Sequence, residues 1–195
     1  MGELGSDGFA VSNVSRRGLL RGMAGGGALI LAAQFAVKGR AAAYPTGAAA
    51  IPNGVVSDPK IFIAIDSDGM VSIVAARAEM GTGAARTILP MIVADELDAD
   101  WARVRIVQAP GDERTYGNQD TDGSRSVRHW IQPMRQCGAA MRAMLEQAAA
   151  AEWKVDVSEV QAQLHEVVHK PSGRKLGYGH LAGAASGLPV PARWP

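Results

Sequence analysis

Cysteine is nearly absent from this 195-residue chain, Cys137 being the only one. A single thiol excludes an intramolecular disulfide framework, a cysteine-ligated iron–sulfur cluster and a c-type haem on this polypeptide. On the apolar face of an expected helix it reads as a small buried hydrophobe. Aromatic residues are also scarce, at 5%, while Gly and Ala abound. Close approach of backbone elements therefore replaces a bulky aromatic core. The apolar run 22–37 is shorter than the ~20 residues of a membrane span and is rich in glycine. There is no Gly-x-Ser-x-Gly elbow, no P-loop and no third glycine at Rossmann spacing after Gly81 and Gly83.

Residues 1–43 carry their own signature. Ser15-Arg16-Arg17-Gly18-Leu19-Leu20 precedes the apolar run, and Lys38, Arg40 and Ala41-Ala42-Ala43 follow it. A charged start, a short apolar stretch and a small-residue cleavage pattern describe an export signal, and the paired arginines point to the twin-arginine translocase. That route delivers folded protein to the periplasm. Five basic and two acidic side chains lie in 1–43, which leaves 15 basic against 17 acidic in the remainder. No basic field remains to attract nucleic acid. Residues 44–60, with Pro45, Pro52 and Pro59 and no periodicity, read as a linker or arm.

Residues 61–195 read as an α+β (mixed α/β) unit of hairpins and crossover helices. Alternation over 61–65 and 70–75 around Asp66-Ser67-Asp68-Gly69 predicts a β-hairpin. Helical spacing over 84–97 predicts a helix that starts or bends near Pro90. A strand is expected over 103–109, a polar stretch over 110–124, and a long helix over 127–153. Residues 157–163 are expected as a short helix capped by Ser158. A second hairpin is expected around Lys170-Pro171-Ser172-Gly173, then a short helix over 178–185. The acidic run Asp95, Glu96, Asp98 and Asp100 reads as a solvated helix end.

Two glycine turns each open an expected helix: Glu79-Met80-Gly81-Thr82-Gly83, and Asp120-Thr121-Asp122-Gly123-Ser124-Arg125-Ser126. Free amides and the positive end of the helix dipole suit phosphate there. The second turn is dense in short donors and is followed by Arg128, a composition fitted to phosphate oxygens. A glycine at a helix start also serves simply as a tight turn. His165-Glu166-Val167-Val168-His169 matches the H-E-x-x-H zinc pattern. That chemistry needs both histidines on one helical face, whereas two valines and the nearby Pro171 predict a strand. A secreted zinc peptidase is therefore rejected as the main reading. His129 and His180 have no evident partners in the sequence.

The segments Ala78-Glu79-Met80-Gly81-Thr82-Gly83, Leu89-Pro90-Met91-Ile92-Val93-Ala94-Asp95-Glu96-Leu97 and Gly123-Ser124-Arg125-Ser126-Val127-Arg128 resemble the molybdopterin-binding large subunit of the molybdenum hydroxylases (the xanthine dehydrogenase/aldehyde oxidoreductase family). The branch they resemble holds the exported isoquinoline 1-oxidoreductase beta subunit and related membrane-associated aldehyde dehydrogenases. The similarity covers nearly all of residues 60–191, including Pro171-Ser172-Gly173-Arg174 and Leu188-Pro189-Val190-Pro191.

The resemblance implies an oxidoreductase that hydroxylates aldehydes or N-heterocycles with water-derived oxygen. Its molybdenum–molybdopterin is typically the cytosine dinucleotide. Electrons would leave through a small subunit with two [2Fe–2S] clusters, often onward to a c-type cytochrome. Met80, Gly81, Thr82 and Gly83 map to the turn beside the metal and pterin, and Gly123, Ser124, Arg125 and Ser126 to the stretch near the pterin pyrophosphate. Two departures stand out. Thr82 replaces the family's usual glutamine, and residues 44–195 hold no Gly-Glu pair to match the family's general base. The expectation is a truncated, catalytically incomplete portion that shares its cofactor with missing segments. The alternative is a non-catalytic fragment or assembly module.

Overall fold

The computed structural model describes residues 29–33, 60–112, 116 and 118–191. A four-stranded sheet runs in the order β1 (Leu29–Ala33), β2 (Lys60–Ile65), β3 (Val71–Ala75) and β4 (Val104–Gln108). The β2–β3 pair is the hairpin expected from the alternation, with Gly69 at φ +89° in its turn and the Met70 amide held by Asp68 at 2.8 Å. β3 pairs parallel with β4, Val71 against Val104 through Ala75 against Gln108. Parallel neighbours need a crossover, which here passes through a π-helical turn (Ala84–Ile88) and helix α1 (Leu89–Leu97). Every residue of β3 is buried, as expected of a strand covered on both faces. Pro90 lies in the first turn of α1, where a missing amide hydrogen costs least.

β1 lies inside the apolar run read as the core of an export signal. It pairs antiparallel with β2, Leu29 against Ile65 through Ala33 against Lys60, with an irregularity between Leu31 and Ala32. The rest of the expected signal, the cleavage pattern and most of the 44–60 arm lie outside the described residues. Among the described residues no helix is long and apolar enough to cross a membrane.

Helix α2 (Arg125–Trp153) extends about 43 Å at 1.5 Å per residue. It runs on through Pro133, which deletes one i→i−4 hydrogen bond. Its apolar face, with Trp130, Met134, Cys137, Met141, Met144, Leu145 and Ala148, is buried against α1 and the sheet. Gly138 sits where the helices meet. A Cβ there would lie 2.6 Å from the Val93 carbonyl oxygen and 2.8 Å from the Glu96 Cβ.

A second sheet, β5 (Val160–Gln163), β6 (Glu166–His169) and β7 (Lys175–Gly177), is antiparallel throughout and leads into α3 (Tyr178–Ser186). The expected helix over 157–163 is corrected here. Only Val157–Glu159 forms a 3-10 turn, capped by Asp156 rather than Ser158, and 160–163 is strand. Alternating burial along β5 explains the difference, since Val160 and Ala162 face in while Gln161 and Gln163 face out, a period of two. The β5 amide of Ala162 bonds Glu146 of α2 at 2.8 Å, tying the small sheet to the long helix.

The acidic run at the end of α1 is more than a solvated end. Asp98 takes φ +57° as the C-cap and accepts the Leu164 amide on its carboxylate (2.9 Å) and the His165 amide on its carbonyl (2.7 Å). The buried Tyr178 hydroxyl donates to the Leu97 carbonyl at 2.6 Å. These bonds hold the β5–β6 turn, in which Leu164 and His165 both take positive φ (45° and 72°). Left-handed backbone costs roughly 1–2 kcal/mol per non-glycine residue, so the turn depends on this tethering.

Candidate functional site: two glycine turns on one floor

The structure brings the two glycine turns together. The Ala78 amide bonds the Gln119 carbonyl at 2.7 Å, and the Thr121 hydroxyl donates to the Ala78 carbonyl. Beneath them lies Arg77, only 1% exposed. Its guanidinium donates to Ser126 Oγ at 3.2 Å, to Asn118 Oδ1 at 2.7 Å and to the Asn118 carbonyl, and it lies 5.8 Å from the Trp130 ring centroid. Gln119 adds bonds to the Ala76 and Pro110 carbonyls. The end of β3 and the start of α2 are thus knitted into one floor. Arg77 was not foreseen; its only sign in the sequence is a cation among the alanines 75, 76 and 78.

In the first turn Gly81 (φ +92°) and Gly83 (φ +74°) occupy the left-handed region that favours glycine. Met80 is 69% exposed, and Thr82 is exposed too. The amides expected to be free for phosphate are engaged. The Glu79 carboxylate accepts from Gly81 (2.7 Å), Gly83 (2.9 Å) and Arg86 (3.4 Å). The Gly83 amide, with those of Gly81, Arg86 and Thr82, outweighs partial desolvation and holds this carboxyl below the usual glutamate range.

The second turn is built differently. Gly123 (φ +46°) and Ser124 (φ +59°) turn the chain into α2, and among the described residues no side chain caps that helix. Ser126 is buried, with its hydroxyl shared between Arg77 and Thr121 (3.1 Å). Arg125 is 9% exposed and pairs with Asp122 through Nε at 2.5 Å and through Nη2. Its Nη1 is buried without an acceptor among the described residues, as is the Nε1 of Trp130 one turn further on. Desolvation, followed by the charges of Arg128, Arg125 and Arg77, holds His129 below the ordinary histidine value, so positive charge gathers at this helix start. A buried charged donor without a partner is costly. A phosphate oxygen would satisfy it, so the residues here fit an anionic cofactor.

The H-E-x-x-H segment is a turn followed by a strand. His165 Nε2 meets the Gly69 carbonyl at 2.7 Å, its Nδ1 accepts from the Asp100 amide at 3.2 Å, and its ring stacks on Tyr178. His169 contacts Glu159 (2.9 Å) and Ser172 (2.6 Å) at the hairpin end. Each histidine thus has a structural partner set of its own. His180, expected to lack partners, lies 3.0 Å from the Glu152 carboxylate.

Residues 32–193 match the molybdopterin cofactor-binding domain family. The chain is 37% identical over 150 residues to the isoquinoline 1-oxidoreductase subunit beta of Brevundimonas diminuta, covering 74% of this chain and 19% of that protein. It is 31% identical over 194 residues to a membrane-bound aldehyde dehydrogenase [pyrroloquinoline-quinone] of Gluconacetobacter polyoxogenes, covering 98% and 24% respectively. The chain therefore spans about a fifth to a quarter of the length of these relatives. Among solved structures, a reconstituted CO dehydrogenase from Oligotropha carboxidovorans shares the fold at TM-score 0.53 and 23% identity, over 63% of this chain and 15% of that one. With a family match that spans most of its length, the chain belongs to the molybdopterin cofactor-binding domain family.

Proposed function

We propose that residues 44–195 form the N-terminal, cofactor-cradling segment of a molybdenum hydroxylase large subunit, which oxidises aldehydes or N-heterocycles with water-derived oxygen. The observation that carries this reading is the buried Nη1 of Arg125, without an acceptor among the described residues, at a start of α2 that no described side chain caps. In this role Arg125 takes a phosphate oxygen of the cofactor's pyrophosphate, and the amides of Ser126 and Val127 take others, the Arg125 amide being held by the Asp122 carbonyl at 2.8 Å. Ser126 and Asn118, fastened to Arg77, keep that donor set in register. Gly123 leaves the approach open, since a Cβ there would meet no atom within 4 Å. Met80, Gly81, Thr82 and Gly83 form the adjoining wall.

When bound, the cofactor supplies the redox chemistry, and the protein orients it. In this reading the cofactor is the cytosine dinucleotide form, shared with segments beyond this chain. A small [2Fe–2S] subunit accepts the electrons, a c-type cytochrome follows it, and the twin-arginine route carries the assembly to the periplasm. Among the described residues no glutamate follows a glycine, so in this reading they do not supply the family's general base.

Pyrophosphate titrated into the 15N-labelled chain tests the cradle. The amides of 124–127 and the Arg125 Nε resonance should shift together and saturate, and Arg125→Ala should abolish the response. Shifts scattered over surface cations, or an unchanged response in Arg125→Ala, would overturn the reading.

A further inference from the structure

The two glycine turns lie side by side, yet their amides are occupied in different ways. At α2 the Arg125 amide bonds the Asp122 carbonyl, but among the described residues no side chain caps the helix and a buried arginine donor beside it lacks an acceptor. At the first turn a carboxylate from the same chain already sits on the amides of Gly81, Gly83 and Arg86, with Glu79 Oε1 bridging the two glycines at 2.7 and 2.9 Å. The negative charge that a helix start attracts is therefore supplied internally.

We propose that Glu79 is a built-in anion: a positioning residue whose carboxylate holds the Met80–Gly83 turn and fills the seat an external phosphate would take, leaving the start of α2 as the anion seat of the pair. The backbone supports this. Gly81 and Gly83 both take positive φ, which turns their amides onto one oxygen. A Cβ on Gly81 would meet nothing within 4 Å, so the glycine is needed for the conformation rather than for space. With its amides turned inward onto Glu79, the turn presents the exposed Met80 and Thr82 side chains outward. Its contact with a ligand is then made by neutral side chains, and Thr82 rather than a phosphate cradle sets the selectivity of this wall. That last step rests on the cofactor reading above; the occupancy of the amides by Glu79 does not.

The test compares full-length wild type, Glu79→Gln and Glu79→Ala by amide exchange and by pyrophosphate titration. Glu79→Gln keeps the shape and removes the charge, so the fold survives in that variant even if the alanine form is unstable. Exchange at Gly81, Gly83 and Arg86 should rise at least tenfold in Glu79→Gln, while exchange in β3 and β4 stays at the wild-type rate. In wild type pyrophosphate should move residues 124–127 and leave Gly81 and Gly83 unmoved. In the Glu79 variants the two glycine amides should become responsive, which loss of structural support alone would not produce. Exchange unchanged in both variants, or wild-type Gly81 and Gly83 shifting at the concentrations that move 124–127, would overturn the proposal. If pyrophosphate moves neither turn, the anion seat at α2 fails, and exchange alone decides the role of Glu79.

Discussion

His165 shows how a residue that looks catalytic in the sequence becomes structural once placed. Its Nδ1 accepts the Asp100 amide, so the ring proton resides on Nε2 and is donated to the Gly69 carbonyl. The neutral ring joins the β5–β6 turn to the β2–β3 turn and stacks on Tyr178 at 4.7 Å. Protonation would set a second N–H against the Asp100 amide. Burial accordingly holds His165 below the ordinary histidine value of 6.5; the Arg103 charge adds to that, while the Gly69 bond, Asp100 and Glu166 oppose it. A depressed histidine binds its proton more weakly folded than unfolded, so stability is full above pH 6.5 and falls as pH drops toward the folded value. His129 shares the direction, so the contribution of His165 is read as a difference. Melting temperature against pH should fall less steeply below 6.5 in His165→Asn than in wild type, from a lower plateau. Parallel curves would contradict this assignment.

At the scale of elements, small residues decide how closely the helices and sheets approach. α1 and α2 meet at Gly138, where backbone rather than a flexible side chain occupies the space a methyl would need. Propensity alone predicts that Gly138→Ala stabilises a helix by up to about 1 kcal/mol. Close packing predicts a loss of about 1–3 kcal/mol. Chemical denaturation of Gly138→Ala should therefore show a lower midpoint with an unchanged slope, and a raised midpoint would refute the close crossing. The elements legible beforehand were those with clean periodicity: the β2–β3 hairpin, α1 with its early Pro90, the long helix and the closing helix. β5 was misread because Asp156-Val157-Ser158-Glu159 imitates a capped helix start over only one turn. The tertiary bond from Glu146 and the alternating burial of Val160 and Ala162 then favour strand.

Over the whole molecule, the site was legible as two turns and not as one surface. Residue types in 118–126 pointed to an anion; the structure places them at a helix start beside a buried arginine donor that has no acceptor among the described residues. What joins the turns is Arg77, whose contacts with Asn118 and Ser126 span 41 and 49 residues of sequence. No local pattern announces such a bond, and none announces that Glu79 folds back on its own turn.

The measurement that tests this account most directly is the cofactor content of the full chain purified from a host that makes molybdopterin. Molybdenum and oxidised, fluorescent pterin are quantified in the same chromatographic fraction for wild type and Arg125→Ala. The account predicts molybdenum and pterin co-eluting with the wild-type chain, a several-fold loss of both in Arg125→Ala, and no turnover of aldehydes or N-heterocycles. Pterin absent from wild type, equal in the two proteins, or replaced by a bound quinone would contradict it.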